Sequence, residues 1–145
     1  MPKRQLMAET LLPYEFDFDA EHGILRCRWQ GAATDVTLKE FYSTMARTVR
    51  KLHPSAAMLD LSGVTSLEAS PKTIEEIAGL APAVPDPAVP VLVVAPAPAV
   101  YGMMRLFQTL GGATRPQLQV VHNVDQAYAA LGVKEPKFER VEPSV

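Results

Sequence analysis

Between Tyr14 and Asp19 the apolar residues Tyr14, Phe16 and Phe18 alternate with Glu15, Asp17 and Asp19. After Ala20-Glu21-His22-Gly23 the alternation resumes, with Leu25, Cys27 and Trp29 set between Arg26, Arg28 and Gln30. A period of two marks a half-buried strand, so two strands joined by a four-residue loop are predicted. Folding the chain back at Ala20–Gly23 sets Phe18 opposite Leu25, Phe16 opposite Cys27 and Tyr14 opposite Trp29. The other face then pairs Asp17 with Arg26 and Glu15 with Arg28. Opposite charges across the strands favour that register.

The period then becomes helical. Thr37-Leu38-Lys39-Glu40 has the form of a capping box, and Val36 and Phe41 stand at the positions of a hydrophobic staple. Leu38, Phe41, Tyr42, Met45, Val49 and Leu52 follow helical spacing and make one apolar face, which His53-Pro54 ends. Ala56–Leu61 reads as a strand. Ser70-Pro71 opens a second helix, with a serine oxygen as cap and proline where no amide is needed. Ile74, Ile77, Ala78 and Ala81 form its buried stripe. Pro82, Pro85, Pro87 and Pro90 predict an extended, stiffened connection.

Val91-Leu92-Val93-Val94-Ala95 is apolar at every position, the mark of a central strand covered on both faces. Pro96-Ala97-Pro98 leads into a third helix through Leu110, stopped by Gly111-Gly112. Leu118–Val121 predicts a last strand. Asn123 caps a short final helix with Gln126 three residues on, Ala127, Tyr128 and Leu131 inside, and Gly132 at its end. The order β-β-α-β-α-β-α-β-α predicts a single α/β domain. Its sheet is mixed, largely parallel and five-stranded, with an N-terminal hairpin and four helices. The domain is expected over 13–132, after an extension at 1–12 and before a polar, loosely attached tail at 133–145.

Composition narrows the function classes. A length of 145 residues suits one domain, and a formal charge of −2 supplies no basic stripe for a nucleic acid. Arg47, Arg50, Lys51 and His53 cluster where a helix C-terminus favours cations. The single Cys27 forms neither an internal disulfide nor a cysteine-based zinc site. Met1–Leu6 lacks the apolar core of a secretory signal, and the most apolar run, Pro90–Val100, is too short to span a bilayer. A cytoplasmic location, no membrane span and no cofactor are expected.

The run Met58-Leu59-Asp60-Leu61-Ser62-Gly63-Val64-Thr65-Ser66-Leu67-Glu68-Ala69-Ser70-Pro71 resembles the signature of STAS domains. These share the SpoIIAA-like fold of anti-sigma-factor antagonists and sulfate-transporter tails. Asp60, Ser62 and Val64 match the signature, and Ser70 falls on the serine that partner kinases phosphorylate in antagonist members. Glu68 stands for the signature's Asp, Ala69 for its Ser, and Pro71 for the Gly after the phosphorylated serine. Tyr101-Gly102-Met103-Met104-Arg105-Leu106-Phe107 also resembles a helix in an uncharacterised bacterial subgroup of SpoIIAA-like proteins. The resemblance implies a non-catalytic regulatory or protein-interaction module.

Two groups of residues carry candidate chemistry. The first is a phospho-acceptor or partner surface of Ser70, Asp60, Ser62, Ser66 and Glu68. Its bland alternative is that Ser70 is only a helix cap, worth about 1 kcal/mol against alanine. The second is a pocket for a small apolar or amphipathic ligand lined by Tyr101, Met104, Arg105 and Phe107. Tyr101 and Arg105 share a helix face, and Ala97-Pro98 leaves amide donors uncapped for water or an anion. The alternative has Tyr101 covering the core and Arg105 paired with Glu75 or Glu76.

Met103, Met104, Leu106, Phe107 and Leu110 suit a pocket, a homodimer seam or plain core. Gly102 would permit close approach of another backbone, from this chain or a second copy. His22, His53 and His122 lack the spacing of metal ligands. No Gly-rich phosphate loop and no G-x-S-x-G occurs, and nothing marks an enzyme active site.

Overall fold

The computed structural model describes residues 12–142. The extension at 1–12 therefore lies, apart from Leu12, outside the described residues. Strands β1 (Tyr14–Asp19) and β2 (Ile24–Ala33) form the expected hairpin, followed by helix α1 (Asp35–Leu52) and strand β3 (Ala56–Leu67). Helix α2 (Pro71–Ala78), strand β4 (Val91–Val94), helix α3 (Pro98–Gly111), strand β5 (Leu118–Val121) and helix α4 (Val124–Leu131) come next. Strand β6 (Glu139–Val141) is the last element among the described residues. The sheet order is β5-β4-β3-β2-β1-β6. The pairs from β2 to β5 are parallel, and β1 is antiparallel to both neighbours.

The hairpin register is Tyr14–Trp29, Glu15–Arg28, Phe16–Cys27, Asp17–Arg26 and Phe18–Leu25, as the alternation predicts. One face carries Tyr14, Phe16 and Trp29 against Phe41 of α1, a cluster of rings 5.2 to 6.2 Å apart. The opposite face is ionic. Asp17 accepts from Arg26 at 2.9 Å and from Arg28 at 3.0 Å, and Glu15 pairs with Arg28 and Arg140. Helices α1, α2 and α3 cover the first face. Helix α4 covers the second over Met58, Leu92 and Val94. Strand β4 is thus sheltered on both sides, which is why its sequence is apolar throughout.

Among the described residues the sheet has six strands rather than five. Glu139–Val141 pairs with β1, so part of the segment read as a loose tail is built into the edge. Lys137 N–H donates to Asp19 at 3.2 Å, and the Arg26 guanidinium lies 3.9 Å over the Phe138 ring. A three-residue edge strand with two charged members has no alternation to betray it, and charge is a usual way to guard an edge.

Strand β3 also runs six residues further than its apolar stretch. It leaves β4 at Asp60 but stays paired with β2 through Leu67, across two register shifts. Gly63 permits this pairing, because a Cβ there would lie 2.5 Å from the Trp29 carbonyl.

Helix α1 begins earlier than the capping signal suggests. Its cap is Thr34, whose hydroxyl accepts from Thr37 N–H at 3.2 Å while Thr37 Oγ1 accepts from Thr34 N–H at 2.9 Å. Val36 is 66% exposed and is not a staple. The helix stops at His53, as expected, in the left-handed conformation. Ala81 lies beyond α2 and is exposed. The proline-rich connection contains a turn in which Asp86 accepts from Ala88 N–H, rather than running extended throughout.

Candidate functional site

The end of β3 and the start of α2 form a polar edge. Ser62 donates its amide and hydroxyl to Asp60 Oδ1 at 3.0 and 2.6 Å, an Asx-type turn at the point where β4 pairing ends. Ser66 donates to Glu68 at 2.9 Å. Ser70 caps α2, its Oγ accepting from Thr73 N–H at 3.2 Å with Pro71 at the first helical position. Four of the five predicted residues therefore make two separate local pairs along one edge, and the fifth, Ser70, finds its partner elsewhere.

That partner is Asp35, in the first turn of α1. Ser70 N–H donates to Asp35 Oδ1 at 2.8 Å, and the Ser70 hydroxyl lies 3.3 Å from the same oxygen. The Ser70 amide, then hydrogen bonding from the Thr73 side chain, holds the Asp35 carboxyl below its ordinary value of 3.8. One carboxylate thus ties the N-termini of two helices, where dipoles and free amides favour negative charge. Sequence reasoning missed Asp35 because the cap was placed three residues late. The signal was present as an acid directly after Thr34.

The second group divides. Arg105 is exposed and donates to Tyr101 Oη at 3.3 Å, and the Tyr101 ring stacks on His122 with centroids 4.2 Å apart. Glu75 and Glu76 are not Arg105 partners, and Glu76 pairs with Lys39 instead. Met104 and Phe107 turn the other way and line a half-enclosed cavity of about 110 Å³ beneath α1, α2 and α3. Tyr101 and Arg105 are not in its wall. Helix α3 begins at Ala97 without a side-chain cap, as expected.

Two polar residues in that wall were not anticipated. Arg115 is only 5% exposed and has no acidic partner among the described residues. Its Nη1 donates to Ala78 O at 2.9 Å and to Thr114 Oγ1. Its Nη2 reaches Tyr42 Oη at 2.8 Å and the carbonyls of Leu80 and Ile77 at 3.0 and 3.3 Å. The guanidinium therefore closes the C-terminal end of α2, where unpaired carbonyls concentrate negative charge. Gln117 donates through Nε2 to Val84 O and Asp86 O, while its Oε1 is buried without a hydrogen-bond partner.

Other reactive groups are muted. Cys27 is fully buried, and burial, reinforced by the Asp17 charge, pushes its thiol well above the ordinary value, away from the nucleophilic thiolate. Among the described residues no cluster of three or more His, Cys, Asp or Glu is placed to hold a metal, and no helix is long and apolar enough to cross a membrane.

No family model and no curated protein matches the sequence. Among solved structures, the chain is similar to the anti-sigma-factor antagonist SpoIIAA in its unphosphorylated form. That match has a TM-score of 0.58 and 10% identity, and covers 84% of this chain and 99% of that one. It is also similar to the Bacillus cell fate determinant SpoIIAA in its phosphorylated form, with a TM-score of 0.52 and 10% identity over 81% and 98% of the two chains. The architecture expected from the Asp60–Pro71 resemblance is therefore present: the chain has the SpoIIAA-like fold.

Proposed function

We propose that this chain is a non-catalytic regulatory module that engages a protein partner through the Asp60–Pro71 edge. The observation that carries the reading is the course of that segment. It parts from β4 at Asp60 and runs on along β2, presenting Ser62, Thr65 and Glu68 to solvent before reaching half-buried Ser70 at the start of α2. Support comes from the fold, which is that of a protein described as an anti-sigma-factor antagonist. The muted Cys27 agrees with a role in binding rather than turnover. Ser70 contributes here as a contact beside Asp35, whose carboxylate disfavours a phosphate at the same spot.

Site-specific photocross-linking tests the proposal. A photoreactive residue replaces exposed Lys72 in the first turn of α2, and a control replaces exposed Ala130 on α4. The expected result is a discrete adduct with another protein from position 72, absent from position 130 and abolished by Glu68→Lys. Equal labelling at the two positions, no adduct from position 72, or an adduct only with a second copy of this chain would overturn the reading.

A further inference from the structure

The cavity beneath α1, α2 and α3 is walled by apolar side chains, among them Phe41, Met45, Val93, Met104 and Phe107. Arg115 is the charged residue in that wall. Its guanidinium carbon lies 4.9 Å from the centroid of the Phe107 ring, and Nη2 donates to Tyr42 Oη at 2.8 Å, so the group is set among wall residues. The hydrogens on its terminal nitrogens are engaged by Ala78 O, Thr114 Oγ1, Tyr42 Oη and the carbonyls of Ile77 and Leu80. Nε–H is different. No acceptor meets it among the described residues. Nor is Nε sealed in protein, because among the described residues the buried side-chain polar atom left without a partner is Gln117 Oε1. Arg115 is only 5% exposed, and the open space that it borders is the cavity. Its charge is also unmatched: no acid lies among its partners, and the carbonyls that end α2 offset it only in part.

From this we infer that the cavity is a binding site for a short-chain monocarboxylate, one oxygen of which accepts from Arg115 Nε–H while the hydrocarbon body lies against Met104 and Phe107. The carboxylate supplies the missing countercharge and takes up the one spare donor, and a charge-assisted bond is about twice as strong as a neutral one. An alcohol or ester oxygen can accept from Nε–H but brings no countercharge. A phosphate is a poorer fit, since its several acceptor oxygens would meet a single unspent N–H. The size suits a compact body, since an engineered apolar cavity of about 150 Å³ takes up benzene and this one of about 110 Å³ is open on one side. The site is separate from the Asp60–Pro71 edge and does not rest on the partner reading.

The test compares hexanoate with hexanol, which keeps the chain and an acceptor oxygen but has no charge, and with hexylammonium, whose charge is reversed. Binding to the purified full chain at neutral pH is followed by calorimetry, and by NMR of the Arg115 Nε–H and the wall methyls. Hexanoate is expected to bind about tenfold more tightly than hexanol, the added worth of a charged acceptor, and hexylammonium not to bind. Saturating hexanoate should move the Arg115 Nε–H resonance together with the methyls of Met45 and Met104. The filling variant Met104→Trp should abolish binding. Arg115→Lys keeps the charge but has no Nε–H, so it should lower hexanoate affinity toward that of hexanol. If either variant fails to fold, the wild-type ratio and the Nε–H shift decide. Hexanol binding as tightly as hexanoate overturns the inference. So does failure to bind hexanoate, an unmoved Nε–H resonance at saturation, or undiminished hexanoate binding in either variant.

Discussion

Ser70 and Asp35 are joined by a 2.8 Å bond from the serine amide and a 3.3 Å contact from its hydroxyl. The residue that the signature places at a phosphorylation point thus faces a carboxylate held below its ordinary value by the Ser70 amide. Capping and repulsion can be separated by substitution. Asparagine and aspartate are comparable caps, so Ser70→Asn should melt near the wild type while Ser70→Asp melts lower. Ser70→Ala should cost about 1 kcal/mol from the lost cap. Asp35→Asn combined with Ser70→Asp should recover stability over Ser70→Asp alone. Thermal melts of the four variants check the ordering, and equal melting of Ser70→Asn and Ser70→Asp would remove Asp35 as the cause.

Asp19 performs a similar task at the hairpin loop. It is 0% exposed, and Oδ1 accepts from Glu21 and His22 N–H while Oδ2 meets His22 Nδ1 at 2.9 Å and Lys137 N–H at 3.2 Å. Burial pushes its carboxyl up, but the His22 side-chain and backbone bonds and the Lys137 bond together hold it below 3.8. A lowered folded value means that the unfolded chain binds the proton more readily. The stabilisation is then complete above the unfolded value of 3.8 and is lost as pH falls through the folded value. Asp19→Asn should cost about 2 kcal/mol at neutral pH. It should also flatten the fall in denaturant midpoint below pH 4 relative to wild type. An unchanged acid limb in the variant would rule the assignment out.

Arg115 is expected to be the most sensitive charged position. Arg115→Met leaves the carbonyls of Ala78 and Leu80 without the guanidinium donor, and Ile77 O with backbone donors alone, and should cost about 3 kcal/mol. Arg115→Lys keeps the charge but not the planar fork, so it should recover only part of that loss. Arg105→Met, on the exposed side of α3, should change stability by no more than about 0.5 kcal/mol. Urea midpoints of the three variants decide, and equal effects of Arg115→Met and Arg105→Met would contradict the capping role.

These positions show what a sequence discloses and what it hides. The hairpin register was legible because two patterns, ring alternation and charge complementarity, selected one pairing. Ser70 and Asn123 were legible because a cap acts on an amide three residues away, within the same stretch of chain. Arg115 was not. Three of its acceptors are backbone carbonyls 35 to 38 residues earlier, and a carbonyl carries no side-chain signature. Strand β6 is too short to show a period. The Ser62–Leu67 extension of β3, paired on one side only, lies outside the strand predicted at Ala56–Leu61. In α3 the shared face of Tyr101 and Arg105 was correctly foreseen. The turn that sends Met104 and Phe107 inward and leaves Arg105 outside depends on how the helix is rotated against the sheet, which spacing alone does not specify.

Two glycines in α3 give a matched pair with opposite signs. At Gly102 an added Cβ meets nothing within 4 Å, so no other part of the described chain requires the bare backbone there. Gly102→Ala should then raise stability by about 1 kcal/mol, through helix propensity and a less flexible unfolded chain. At Gly111 the same methyl would lie 2.6 Å from Arg115 Nη1. A flexible side chain would normally swing aside, but this guanidinium is buried and pinned by Ala78 O and Thr114 Oγ1 through that nitrogen. Gly111→Ala must displace the cap of α2, so it should lower stability despite the same gain in propensity. Urea denaturation of both single variants measures the two signs. A destabilising Gly102→Ala in dilute protein would mean that a second copy packs against that backbone. A stabilising Gly111→Ala would mean that Arg115 is free to move, and the rigid capping role would fail with it.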